Sequence, residues 1–336
     1  MPFVSTRSFR NPGSNMRAPD FVVSPSRDDL RAAAARLAPH VRRTPVMEID
    51  GGDLGTKARV VLKLELLQHT GSFKARGALN TLLTRSVPVG GVVAASGGNH
   101  GAAVAWAASR AGVPAQVFVP ATSPPVKARR IAAYGATVVV VVDGYYPDAL
   151  AASREWAADR QVTEVHAYDA SEVVAGQGSL GLELADQVLD ADQVLVSCGG
   201  GGLFAGVALA LDGGPTVLPV EPERCRTLHA ALAAGGPVQG EVGGVAADSM
   251  GAATAGRIAY EVAASRSITP PLVPDDAIVA AREFLWERCR ILAEPGGATA
   301  FASLFCGAVR PAAGTTVVVV VSGGNTLEIP DATSEA

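Results

Sequence analysis

From Ser26 onward the chain alternates between two periodicities. Ser26-Arg27-Asp28-Asp29 reads as a capping box, and Leu30, Ala34, Leu37 and Val41 follow at the spacing of one helical face, which predicts a helix starting there. Short runs rich in β-branched residues then recur at Val60–Leu64, Val92–Ala95, Gln116–Val119, Thr137–Val142, Val162–Ala167, Val194–Cys198, Thr216–Val220 and Thr316–Val321. Helix-length segments such as Gly101–Ala111, Pro125–Tyr134 and Asp148–Asp159 separate them. That alternation predicts βαβ units, and hence an α/β fold of open, twisted, mostly parallel sheets with helices on both faces. The near-pure valine runs Val138–Val142 and Val317–Val321 suit strands buried on both sides. No fixed-period repeat suggests a solenoid.

Composition narrows the class. The 336 residues suit two domains at roughly 100–200 residues each. With 28 basic residues against 32 acidic ones, a net charge of -4 and no basic block, nothing advertises a nucleic-acid or membrane surface, so small molecules are the expected partners. Cys198, Cys225, Cys289 and Cys306 are scattered, without metal-site spacing, and read as reduced thiols of a cytoplasmic protein. Residues 1–23, with Arg7, Arg10 and Arg17 among Ser, Pro and Asn, lack the apolar core of a secretory signal and read as a flexible leader. The uncharged stretch Val194–Leu211 contains Gly199, Gly200, Gly201 and Gly202, which break a membrane helix into strand, loop and helix. Only Lys57, Lys63, Lys74 and Lys127 could supply a lysine amine.

Four segments carry the candidate chemistry. Lys74, after Phe73, falls at the start of a predicted helix, whose positive end lowers an amine pKa toward what Schiff-base chemistry requires. Of the other lysines, Lys57 and Lys63 lie before or within a strand and Lys127 beside Arg129 and Arg130. Ser96-Gly97-Gly98-Asn99-His100, between a strand and a helix, offers backbone and side-chain donors for a carboxylate, although a turn capped by Asn99 would look the same. Ser197-Cys198-Gly199-Gly200-Gly201-Gly202-Leu203 suits a phosphate cradle of bare amides. Alone it also fits a dinucleotide fingerprint, Gly200-x-Gly202-x-x-Ala205 with Glu221 further on, so both readings stay open at this motif. Last, the apolar run Val317–Val321 ends in Ser322-Gly-Gly-Asn325, which places a hydroxyl at the end of a strand where ligands of parallel sheets sit.

A reactive lysine with an aromatic neighbour, an amide clamp, a phosphate cradle and a strand-end hydroxyl are together the parts of a pyridoxal phosphate site. From about Ser24 to Leu327 the chain resembles the pyridoxal-phosphate-dependent serine/threonine dehydratases of the tryptophan synthase β-like fold, fold type II. The resemblance rests on Thr70-Gly-Ser-Phe-Lys-Ala-Arg-Gly77, Ser96-Gly-Gly-Asn-His100, Ala175-Gly-Gln-Gly178, the tetraglycine 199–202, Val220-Glu-Pro222, Val245-Ala-Ala-Asp-Ser249, Ala293-Glu-Pro-Gly-Gly-Ala298 and Ser322-Gly-Gly-Asn325, in that order. It implies that Lys74 binds the cofactor as a Schiff base and removes the substrate α-proton. Phe73 would pack on the cofactor ring and Asn99 would bond its phenolic oxygen. The amides of Gly199, Gly200, Gly201, Gly202 and Leu203 would hold its phosphate, and Ser322 would face its ring nitrogen. Ser96, Gly97, Asn99 and His100 would hold the substrate carboxylate. The implied activity is an ammonia-lyase that removes the β-hydroxyl of a small hydroxy amino acid, with a homodimer as the typical assembly.

Three departures refine this. Racemases of the family carry a second serine where this chain has Gly97, so elimination with little or no racemisation is expected. Family members with a divalent cation use the Val-Glu-Pro glutamate and an aspartate six residues later, but that later position is Thr227, so no metal is expected. The chain stops soon after Leu327, so an appended regulatory domain is not expected. A serine racemase or a β-replacement synthase such as a cysteine synthase, a nicotinamide oxidoreductase and a catalytically silent binding protein are the competing classes, and the Ser-Phe-Lys setting of Lys74 disfavours the last two. The expected organisation is a large domain of residues 24–88 and 168–336 with a small domain, 89–167, inserted into it.

Overall fold

The computed structural model describes residues 4–7, 22–142 and 146–330. Eleven strands among them form two sheets: β1 (Val4–Arg7), β2 (Val46–Ile49), β3 (Arg59–Lys63), β4 (Val92–Ala95), β5 (Ala115–Pro120), β6 (Thr137–Val141), β7 (Thr163–Glu164), β8 (Gln193–Ser197), β9 (Thr216–Pro222), β10 (Leu272–Val273) and β11 (Thr316–Val320). The six-stranded sheet runs β10-β9-β8-β11-β3-β2 and is parallel except for β2, which pairs antiparallel with β3. The five-stranded sheet runs β1-β6-β5-β4-β7 and is parallel throughout. Every residue of the valine strand β11 is buried, as a central strand covered on both faces must be.

Three strands were not anticipated, and they share a cause. β2 and β10 lie at the edges of the large sheet, and β10 has two residues, too few to show a period. β1 falls inside the expected flexible leader: its backbone adds an edge to the small sheet, with Val4 opposite Val138 and Arg7 opposite Val141. The rest of the leader, except Val22 and Val23, lies outside the described residues. The run Val162–Ala167 pairs only at Thr163 and Glu164, with Val165 N–H still donating to the Val93 carbonyl, after which the chain turns toward the large sheet.

The helices used below are α1 (Arg27–Leu37), α2 (Lys74–Thr84), α3 (Asn99–Ala111), α4 (Pro125–Ala133), α5 (Tyr146–Ala158), α6 (Ser171–Gln187), α7 (Gly202–Ala210) and α8 (Thr227–Ala234). The capping box of α1 is present in full, Ser26 Oγ accepting from Asp29 N–H while the Asp29 carboxylate accepts from Ser26 N–H. Ala175-Gly-Gln-Gly178 lies on α6, which packs against both α2 and α7. Glycine is required there because a Cβ at Gly176 would stand 2.7 Å from Gly77 Cα, and one at Gly206 would stand 2.6 Å from Gly178 N. The three helices therefore touch backbone to backbone.

Beneath α2 lies a buried quartet of charges. Arg76 donates to Glu65 through Nε and Nη2 at 2.8 and 2.7 Å and to Glu183 at 2.8 Å, while Lys63 donates to Glu183 at 2.6 Å. Lys63 and Glu65 are fully buried and Arg76 is 1% exposed. Two cations and two carboxylates leave the quartet neutral, and Thr44, Ser179 and Gln187 complete its hydrogen bonds. Unpaired charges at such depth would be prohibitive.

Candidate active site

The carboxyl ends of β8, β11 and β3 from the large sheet and of β4 from the small sheet converge on one cleft, where open α/β sheets bind ligands. Phe73, Lys74, Asn99, the loop 199–203 and Ser322, which the sequence singles out from segments far apart, line one cavity there. Tyr168, Ser197, Ser249, Met250, Glu294 and Gly296 complete it. A second cavity of about 300 Å³ adjoins it and includes Gly97, Gly98, Lys127, Arg130, Asp248 and Asn325. Asn99 and Glu294 line both and form the wall between them.

Lys74 is the first residue of α2. Its Nζ donates to the Ala167 carbonyl at 2.7 Å and lies 5.1 Å from the centroid of the Phe73 ring. Burial lowers its pKa to about 8, opposed by the nearby Glu294 carboxylate. The helix start is where the sequence put it, but removal from water, rather than the helix dipole, is the main cause of the shift. An amine so placed is neutral in a large fraction at mild alkaline pH and is a competent nucleophile and base.

The glycine loop shows why side chains are absent from it. Its carbonyls are turned away and satisfied: Gly199 accepts from Thr227 Oγ1 at 3.0 Å, Gly200 from Gly256 N–H at 2.9 Å and Gly201 from Ala205 N–H at 2.9 Å. Among the described residues none of the amides of 199–203 donates to a protein acceptor, so up to five N–H groups are left at the start of α7. Gly201 has φ +85°, and a Cβ at Gly202 would stand 2.5 Å from the Tyr168 carbonyl oxygen. Free amides at a helix N-terminus make a site for a phosphate dianion. A Rossmann reading has no use for the lysine facing that cradle. The residues present fit pyridoxal phosphate: an amine of lowered pKa for the aldehyde, amides for the phosphate, Asn99 for the ring oxygen, the Phe73 ring at the side and the Ser322 hydroxyl at the end of β11 for the ring nitrogen. Among the described residues Ser322 Oγ is engaged only by a long contact of 3.4 Å to the Gly296 carbonyl.

The segment 96–100 is divided. Gly97, Gly98 and Asn99 reach the outer cavity, whereas Ser96 and His100 line neither. Ser96 Oγ accepts from Gly98 N–H at 3.1 Å and shapes the turn. His100 is buried, its Nε2 is 2.9 Å from the Val165 carbonyl oxygen, and burial drives its pKa down to about 3, so the ring is neutral. What His100 offers a carboxylate is the backbone at the start of α3, not its ring.

Two participants escaped sequence reasoning. Glu294 is 5% exposed; its Oε1 accepts from Asn99 Nδ2 at 2.5 Å, and burial pushes its pKa up to about 7. Tyr168 lies against Gly200 and donates to the Thr254 carbonyl at 3.1 Å, while its neighbour Asp169 caps the Arg257–Ser265 helix. Glu294 sits in the Ala293–Ala298 motif, but its partner is 195 residues away, a relation the sequence alone does not display. Elsewhere, Glu221 spends both carboxylate oxygens on the Leu228 and His229 N–H groups of α8, at 2.7 and 2.8 Å. Among the described residues no group of three or more His, Cys, Asp or Glu side chains is arranged to hold a metal ion.

Comparison with known proteins agrees with this geometry. The chain is 34% identical over 305 residues to the catabolic L-threonine dehydratase TdcB of Staphylococcus aureus (strain USA300), covering 88% of each. It is 37% identical over 324 residues to the biosynthetic L-threonine dehydratase IlvA of Mycobacterium leprae (strain TN), covering 94% of this chain and 74% of that one. Among solved structures, the threonine deaminase of T.th. superposes with a TM-score of 0.83 at 35% identity, over 91% of this chain and 100% of that one. Maize serine racemase superposes equally well, with a TM-score of 0.83 at 30% identity, over 90% of this chain and 94% of the other. Residues 37–323 match the model of one family, and the chain therefore belongs to the pyridoxal-phosphate dependent enzymes.

Proposed function

We propose that the protein is an ammonia-lyase that removes the β-hydroxyl of a small hydroxy amino acid, L-threonine, L-serine or 3-hydroxyaspartate, to give a 2-oxo acid and ammonia. The observation that carries this reading is the partly buried Lys74 amine, its pKa lowered to about 8, in the same cavity as the free amides of 199–203. The threonine dehydratase and threonine deaminase relatives support the same activity. Bound in this cavity, pyridoxal phosphate supplies an electron sink that acidifies the α-C–H of an amino acid held through its nitrogen.

The protein's own residues do the rest. Lys74 would hold the cofactor through Nζ, and the same amine would serve as the base for the substrate α-proton. Asn99 would donate to the ring oxygen, and the amides of Gly199, Gly200, Gly201, Gly202 and Leu203 would hold the phosphate. Phe73 would limit ring movement and Ser322 would meet the ring nitrogen, where a hydroxyl, unlike a carboxylate, would not force a proton onto it and so would favour prompt loss of the β-substituent. Ser96, Gly97, Asn99 and His100 present the start of α3 to the substrate carboxylate, chiefly through backbone N–H groups. We further infer a small unit, 89–167, set into a large one, 24–88 and 168–336, a homodimeric assembly and a cytoplasmic location. No described helix is long and apolar enough to cross a membrane.

The test is direct. Purified protein should show the visible absorption of a lysine Schiff base with pyridoxal phosphate and release ammonia and 2-oxo acid from at least one of the three substrates. Lys74→Ala should lose both signals while keeping the parent circular dichroism. A parent that cannot be loaded with pyridoxal phosphate, or a Lys74→Ala variant that releases ammonia at the parent rate, would overturn the reading. A racemisation rate comparable with elimination would overturn the choice of lyase.

A further inference from the structure

We propose that Arg130 and Asn325 are positioning residues for this reaction, which fix the orientation of the Asn99 amide so that its nitrogen, and not its oxygen, is offered to the cofactor's ring oxygen. The proposal rests on the lyase reading and adds to it a polar chain that runs from the small sheet's helix α4 across the cleft.

An asparagine amide is nearly symmetric in shape but opposite in chemistry at its two ends, so something must select the rotamer. Asn99 Nδ2 donates to Glu294 Oε1 at 2.5 Å, and Asn99 Oδ1 accepts from Asn325 Nδ2 at 2.6 Å. Nδ2 has a second hydrogen, which remains for a ligand. The direction of Asn325 is set in turn by Arg130, whose Nη1 donates to Asn325 Oδ1. A guanidinium only donates, so Asn325 must turn its oxygen to Arg130 and its nitrogen to Asn99. Glu294 alone could not guarantee this orientation: its carboxyl, with pKa raised to about 7, is part neutral near neutrality and can then also donate. Arg130 has no acceptor atom in its guanidinium, so it can only donate to Asn325.

The backbone around the chain is shaped to it. Thr70 adopts φ +63°, a left-handed conformation that a β-branched residue rarely takes. Its carbonyl accepts from both Asn325 Nδ2 at 2.8 Å and Arg130 Nη2 at 3.1 Å. Gly71 follows at φ +74°, and a Cβ there would run into Asn325 Oδ1, so only glycine leaves room for the contact. Strain and an obligatory glycine, four and three residues before Lys74, thus serve a hydrogen bond between α4 and the cavity wall.

The proposal is tested on the pyridoxal-phosphate-loaded enzyme and on apoenzyme titrated with pyridoxal phosphate. Arg130 is exposed, so Arg130→Ala leaves the core intact. Asn325→Asp keeps the shape but offers only acceptors, which turns the Asn99 nitrogen toward residue 325 and its oxygen toward the cavity. Asn325→Asp is expected to shift the visible absorption band and to weaken cofactor binding about tenfold, the worth of one hydrogen bond to a charged group. Arg130→Ala should shift the band in the same direction by less, and Arg130→Lys should restore part of it. Parental band and affinity in both Asn325→Asp and Arg130→Ala would overturn the proposal, as would weaker binding with an unmoved band, which would mean a merely structural role. A parent that develops no band refutes the lyase reading itself, and the proposal falls with it.

Discussion

Replacing Arg76 with methionine removes one cation from the neutral quartet under α2 and leaves Glu65 and Glu183 facing Lys63 alone. Arg76 makes three bonds to carboxylate oxygens, all at 2.7 to 2.8 Å, at a site 1% exposed. Breaking a buried pair from one side costs about 3–5 kcal/mol, because the orphaned charge keeps its desolvation penalty. For a protein whose whole stability is of order 5–15 kcal/mol, that is a large share. The expected result is a loss of about 3–5 kcal/mol in urea unfolding of the apoprotein at pH 8. The deficit should be smaller at pH 5. In the variant a carboxyl left without its cation has a folded pKa above its unfolded value near 4.5, so its stability contribution is present at low pH and lost as pH rises through the folded pKa. The double variant Arg76→Met with Glu65→Leu removes a cation and an anion together, and should recover most of the loss. A deficit under about 1 kcal/mol, or a double variant no better than the single, would refute the reasoning that charge pairing holds this helix.

Gly97→Ser should destabilise the protein by about 1–3 kcal/mol, since a Cβ there would stand 2.7 Å from Ser123 Cβ and 3.1 Å from Val119 Cγ1. Thermal melts check the cost; a variant melting with the parent would show that Ser123 and Val119 yield to the added side chain. Because Glu221 is committed to α8 and Thr227 Oγ1 to Gly199, turnover should change less than about twofold on exhaustive chelation or on adding magnesium or calcium, against the tenfold or greater losses typical of disturbed metal sites. A strong, reversible cation requirement in initial-rate assays would contradict this.

Sequence made the architecture legible wherever a physical demand repeats locally. Valine runs announced strands buried on both faces, and the capping box announced α1. Consecutive glycines announced a loop whose amides had to be bare, and the shortage of lysines singled out Lys74. What stayed hidden lacks a local signature. β2 and β10 are edge strands too short or too mixed to show a period, and β1 sits in a stretch whose composition reads as leader. Tyr168, Glu294, Arg130 and Asn325 gain their roles from partners brought up by the fold. The lowered pKa of Lys74 was expected from a helix terminus and comes chiefly from burial, a property of the assembled cleft and not of the segment.

The backbone contacts among α2, α6 and α7 act as a gauge. α2 begins at Lys74 and α7 at the end of the glycine loop, and the span between the amine and the loop's free amides is fixed by glycines resting on main chain at 77, 176, 178 and 206. A gauge made of main chain has no rotamers to relax, so its length does not drift when core side chains repack or change. One added methyl at Gly176 or Gly206 would wedge the helices apart by about an ångström, and misplacements of that size cost on the order of a hundredfold in rate. Changes to this seam, remote from the substrate, are therefore felt first as lost turnover and only then as lost fold.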